Sequence, residues 1–183
     1  MKHTICLLLV ALAFTACKKE EVEGIRLEKT FPGAMDTGKA GATRDGEPWQ
    51  ASAFAKFHPD SGGYIGMSFR TFSEEGFNRE VHTITEIPLK RGKYPIKGHI
   101  SEIYDGFVGS VYSWLVDDGD VAGPLYDHDD TVPGFLELTM VDTVAKKITG
   151  NFDRMVFKNR RPSSFYPLTV VFENGTFEMA IIE

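Results

Sequence analysis

The chain has 183 residues with a formal charge of −6, 42% hydrophobic residues and two cysteines, a size and balance that fit one globular domain. A surface of that sign repels phosphate backbones, so nucleic acid is excluded as a partner. Cys6 lies within an apolar leader and Cys17 at its end. The body of the chain therefore offers no thiol nucleophile, disulfide or cysteine metal site.

Lys2 and His3 form a short basic start, Ile5 to Phe14 is an unbroken apolar run, and Phe14-Thr15-Ala16-Cys17 closes it with small residues before a cysteine. That pattern is an export signal. The run falls short of the roughly 20 apolar residues needed to span a bilayer. Its ending resembles the bacterial lipobox, in which the signal is cut before the cysteine and the thiol is acylated. The resemblance implies a signal peptide over residues 1–16 and a lipid on Cys17, which would anchor an exported protein to a membrane. Residues 17–39 are charged and contain glycine, with isolated Ile25, Leu27 and Phe31 that show no sustained period. They read as a flexible tether. Lys18-Lys19-Glu20-Glu21 resembles a tetrad that sends lipoproteins to the outer face of the outer membrane. A solvated linker on the periplasmic face is the alternative.

From residue 40 to residue 183, turn residues punctuate short segments rich in Val, Ile, Thr, Phe and Tyr, the pattern of many antiparallel strands. Asp45-Gly46 predicts a hairpin between Ala42-Thr43-Arg44 and the strand from Trp49 to Phe54. Ile65, Met67 and Phe69 alternate with Ser68 and Arg70, so one face is buried. Residues 80–87 alternate again until Pro88, which cannot donate to a ladder. Tyr94-Pro95-Ile96 follows a turn, and a longer run extends from Ile103 to Val116. Phe135 to Met140 and Ile148 to Phe157 flank a polar hairpin turn, and a last segment spans Leu168 to Ile182, with Asn174-Gly175 either a two-residue turn or, the favoured reading, a bulge in one long strand. About eight antiparallel strands in a meander predict an all-β domain, and periodicity leaves both a β-barrel and a β-sandwich open.

Several segments together resemble a family of uncharacterised Bacteroidetes lipoproteins with an N-terminal lipobox and a single all-β domain. They are the stretch from Ala42 to Ala51, Gly92-Lys93-Tyr94-Pro95-Ile96, the stretch from Gly134 to Thr139, Ile148-Thr149-Gly150-Asn151-Phe152 and Asn174-Gly175-Thr176-Phe177. The resemblance implies the fold and the outer-membrane address, and no activity.

Three constellations could carry chemistry. Asp117, Asp118, Asp120, Asp127, Asp129 and Asp130 bring six carboxylates into fourteen residues, a composition suited to calcium, although the spacing is not that of an EF-hand. A calcium-stabilised structural envelope protein is therefore one expectation, and a solvated loop the other. Tyr104, Tyr112 and Trp114 share parity in one segment; they either fill the core, the favoured reading, or present rings to a sugar or an apolar ligand. Acidic pairs can hydrolyse glycans when about 5 to 9.5 Å apart. Against that, no nucleophile elbow, phosphate loop or zinc-spaced histidine pair occurs. His58, His82, His99 and His128 are scattered. Asp130-Thr131-Val132 and Asp142-Thr143-Val144 resemble O-glycosylation acceptors. The reading is of a membrane-anchored lipoprotein that binds a glycan, another ligand or an envelope protein. Catalysis by a glycan hydrolase is the alternative.

Overall fold

The computed structural model describes residues 38–58, 63–98, 106–117 and 119–182. The proposed signal peptide and Cys17 lie outside the described residues, as do Tyr104, Asp118 and His99. The described chain is all β, in eleven strands: β1 Gly38–Arg44, β2 Glu47–His58, β3 Tyr64–Phe72, β4 Asn78–Pro88, β5 Gly92–Lys97, β6 Val108–Val116, β7 Val121–His128, β8 Phe135–Asp142, β9 Lys147–Phe152, β10 Met155–Asn159 and β11 Thr169–Ile182.

Pairing closes on itself. The eight strands β1, β2, β3, β4, β6, β7, β10 and β11 are each joined antiparallel to the next, and β11 returns to β1. Of the two architectures the periodicity left open, the ring of hydrogen bonds makes a barrel, which removes free edges. The remaining strands β5, β8 and β9 form a second tier, because β6 and β11 each carry two partners along one edge. On β6, β5 pairs at Val108 and Gly109 and β7 from Val111 onward. On β11, β10 pairs over residues 169–172 and β9 over residues 175–180. Two short pairings, β5 with β6 and β11 with β2, are parallel. The neighbours are therefore not a pure meander, and β4 skips β5 to reach β6.

Inward positions follow the period of two that the sequence shows. Trp49, Ala51, Ala53 and Ala55 on β2 face in, as do Ile65, Met67 and Phe69 on β3. Small alanines on β2 leave room for Phe69, Phe152, Phe172 and Phe177, whose rings pack at centroid distances of 5.8 to 5.9 Å around Phe69 where they touch it. Each buried phenylalanine contributes roughly 2 to 3 kcal/mol by area. Two irregularities keep the pattern in step. Glu86 adopts φ 59° and adds one residue against β3, so Ile84 and Ile87 both point inward. Asn174, at φ 55°, does the same in β11, where Gly41 pairs with Thr176 and Thr43 with Glu173. The Asn174-Gly175 dipeptide is thus a bulge in one continuous strand.

Two segments differ from the sequence reading. The run over residues 148–157 breaks at Asp153-Arg154 into β9 and β10, so that the chain can serve both tiers. Residues 117–130 are not one loop, because β7 runs through them. Gly123-Pro124 conceals this strand in the sequence. The pair sits where the β6–β7 register slips between Ser113 and Leu115, so the missing proline N–H breaks no regular ladder.

Candidate functional site

Antiparallel alternation puts four connections at one end of the barrel: Asp45-Gly46, residues 73–77, residues 117–120 and residues 160–168. Glu80 closes this end from within. Its buried carboxylate accepts Trp49 Nε1 at 2.8 Å and Thr71 Oγ1 at 3.1 Å on Oε2. Oε1 accepts the Tyr112 hydroxyl at 2.9 Å and pairs with Arg44 Nη1. Trp114, opposite Glu80 in register, donates its indole N–H to the Tyr112 hydroxyl. Four donors converge on one carboxylate, which satisfies a buried charge as burial requires. Burial also pushes the Tyr112 phenol up. The arrangement is a saturated plug with no spare acceptor for substrate.

The predicted ring pair therefore divides. Tyr112 is fully buried and committed to Glu80. Trp114 is half-buried and meets Tyr166 edge-on at 5.7 Å. The segment 160–168 is held by Tyr126 OH and Asn159 Nδ2, which donate to Pro167 O at 3.1 and 3.5 Å. It leaves Phe165 87% and Leu168 63% exposed.

The acidic residues do not assemble. Asp117 and Asp120 lie in the β6–β7 turn, whereas Asp127, Asp129 and Asp130 lie at the far end of β7. The seven steps from Asp120 to Asp127 span about 23 Å at the strand rise. Asp117 O accepts Arg79 at 2.6 Å. Asp127 is forked by Arg160, with Nη2 at 2.5 Å, and Asp129 pairs with Lys158 at 2.8 Å and accepts both Thr131 donors. The Lys158 and Thr131 bonds hold Asp129 down at about 2. Asp130 accepts Gly98 N at 2.7 Å. Protein cations, hydroxyl and N–H groups thus partner Asp127, Asp129 and Asp130, and no group of three metal-ligating side chains occurs among the described residues. The five described members of the six-carboxylate set therefore lie in two groups at opposite ends of β7, and Asp118 lies outside the described residues.

Two histidines stand inside the barrel. His82 Nε2 meets Ser110 Oγ at 2.9 Å while Nδ1 has no partner, and Phe69, Phe152, Phe157 and Phe172 enclose the ring. Burial depresses its pKa to about 3, with His128 adding repulsion. His128 is also buried, its ring nitrogens lack hydrogen bonds, and Asp130 lies 3.7 Å away. Burial lowers this pKa too.

Among the described residues the barrel interior holds packed aromatic rings, and a recess lies on the outer wall. It has a volume of about 960 Å³ and crosses β3, β2, β1, β11 and β9. Register explains its shape. Arg70, Ser52, Lys39, Glu178 and Thr149 form one row of paired, outward residues across five strands. Gly41, flanked by Gln50 and Thr176, lies in the next row. Short side chains form the floor, and Arg70, Phe72 and Lys39 rise around it. The Arg70 guanidinium lies 5.1 Å from the Phe54 ring and Nε donates to Ser68 Oγ at 3.3 Å. No carboxylate pairs with it among the described residues. Burial draws its pKa down. Glu178 is paired with Lys147.

Sequence reasoning passed over these residues because they are ordinary outward positions on separate strands, and only the register joins them. Comparison with family models, with curated proteins and with solved structures returns no match.

Proposed function

We propose that the chain is an exported lipoprotein, anchored in the outer membrane through a lipid on Cys17, and that its barrel is a binding module for a polar ligand. The observation that carries this reading is the outer recess of about 960 Å³. It offers hydroxyl, amide, aromatic and cationic side chains on a rigid sheet. Ligand sites are concave surfaces with a few fixed polar groups, and this wall supplies both. The packed interior supports the outer wall as the place of recognition, because Phe69, Phe157 and Phe172 occupy the space an internal ligand would need. The signal-like leader supports the address.

Two measurements test the proposal. Cys17→Ala should release the protein from the membrane pellet, and unchanged pelleting would refute the anchor. Amide shifts of the full chain titrated with a saccharide panel should cluster on β1, β2 and β3. New reducing ends appearing in the same mixtures would refute a binding role and favour the paired-carboxylate hydrolase.

A second reading, docking of an envelope protein, draws on Phe165 and Leu168. Both stand exposed in the connection that carries Tyr166, whose ring meets Trp114, at the end of the barrel remote from Gly38. Exposed apolar side chains grouped with rings mark protein contacts. Phe165→Ser should abolish co-purification of such a partner without lowering the melting temperature.

A further inference from the structure

We propose that the outer recess selects an acidic saccharide, with Arg70 holding its carboxylate and Lys39 reinforcing the field. The inference rests on the binding reading and goes beyond it by naming the ligand class. Arg70 projects from β3 at one side of the recess and Lys39 from β1, two strand spacings away, with Ser52 between them in register. Two spacings are about 10 Å, the scale of one to two sugar rings.

Three features single out Arg70. Its Nε is occupied by Ser68 and its face by Phe54, which fixes the plane of the guanidinium. Its two terminal nitrogens have no carboxylate partner among the described residues, so the fork that matches a carboxylate is left over. Half-burial strips part of its water, and a partly desolvated cation gains more from a counter-charge than an exposed one. The one acid in the row, Glu178, pairs with Lys147 and faces Lys39 in register, so two cations already offset it. The local field is therefore positive on a chain whose formal charge is −6. An anion is attracted to this recess and repelled from most of the remaining surface.

The rest of the lining fits the remainder of such a ligand. Gln50, Ser52, Thr149 and Thr176 supply amide and hydroxyl groups for sugar hydroxyls, and Phe72 supplies an apolar surface for a ring face. A lipid or an aliphatic ligand would leave these polar groups unpaired.

The test is calorimetry and amide-shift mapping of the full chain with oligogalacturonate and hyaluronan tetrasaccharide, against methyl-esterified oligogalacturonate. Acidic probes should shift recess amides and bind at least about tenfold more tightly than the ester, the worth of one charged hydrogen-bonded contact. Their affinity should fall as salt rises. Arg70→Gln should lose about the same tenfold while the melting temperature holds, and Arg70→Lys should recover only part of it, because an ammonium lacks the fork. Equal binding of acid and ester at the recess would overturn the charge selection and leave the binding reading intact. Recess amides that respond to no acidic or neutral saccharide would overturn both.

Discussion

His82 makes the barrel acid-labile in a window that can be calculated. In the folded chain its pKa is depressed to about 3 by burial, whereas in the unfolded chain it returns to about 6.5. Below pH 6.5 the unfolded state binds a proton that the folded state refuses, so stability falls as pH falls and the loss is complete near pH 3. The full span is roughly 5 kcal/mol, and about 2 kcal/mol is gone by pH 5. His128, whose pKa is also lowered by burial, acts in the same direction. The paired Asp129 titrates lower, from the ordinary carboxylate range down to about 2, so it contributes below about pH 4 and does not blur the histidine window. The assay is urea unfolding at pH 7.5 and pH 5.0 followed by tryptophan fluorescence, with the double variant His82→Leu/Ser110→Ala as comparison. Removing both partners leaves no orphaned group. The wild type should lose about 2 kcal/mol more than the double variant over that interval. Equal losses would refute the account, and would mean that His82 is solvated or already charged in the fold.

Other substitutions test the plug, the bulge and the parity of the sheet. Glu80→Ala should cost about 3 to 5 kcal/mol in chemical denaturation, because it strands the Arg44 charge and three further donors at the barrel end. A loss under about 1 kcal/mol would mean that water replaces the carboxylate freely. Gly175→Ala would drive a Cβ into the Phe152 ring and should destabilise by more than about 2 kcal/mol. Gly46→Ala, at φ 88° with open space around it, should cost only about 1 to 2 kcal/mol of backbone strain. Ala53→Leu, fully buried opposite Phe69, should lose about 1 to 3 kcal/mol to overpacking, whereas its outward neighbour Ser52→Tyr should fill the recess and leave the melting temperature unchanged.

The strands that the sequence makes legible are those whose period of two is uninterrupted and whose ends carry Asp-Gly, Asn-Gly or proline. Trp49 to Phe54, after Asp45-Gly46, and Phe135 to Leu138, after Pro133, are of this kind. β7 escaped because Gly123-Pro124 sits within it and its acidic residues suggest solvent. Only Tyr126 and His128 of its eight residues are buried. Closure of the barrel is not legible either, since it depends on Gly38 to Arg44 meeting the strand that begins more than a hundred residues later. Tyr112 and Trp114 do fall on one face, as their spacing requires, yet what each does depends on Glu80, which alternation alone would not place inside. A glutamate at an inward position is a signal in itself. Its burial demands donors, and the nearby arginine, tryptophan and tyrosine side chains supply them.

Closure has a consequence for where recognition can occur. In a barrel whose lumen is filled, each strand spends alternate side chains on the core, so these cannot also meet a ligand. Recognition is left to outward positions and to the connections at the ends. Outward residues of a convex wall usually diverge, which gives a ligand too few simultaneous contacts. The wall over β3, β2, β1, β11 and β9 escapes this limit because Gly41 and Ser52 lower its floor while Arg70 and Lys39 keep their length. A Cβ at Gly41 would meet Trp49 O at 3.8 Å, an ordinary contact. Packing in the core therefore does not require glycine there, and its small size serves the outside of the sheet. Short and long outward residues side by side in register are what turn a barrel wall into a surface that can hold a ligand.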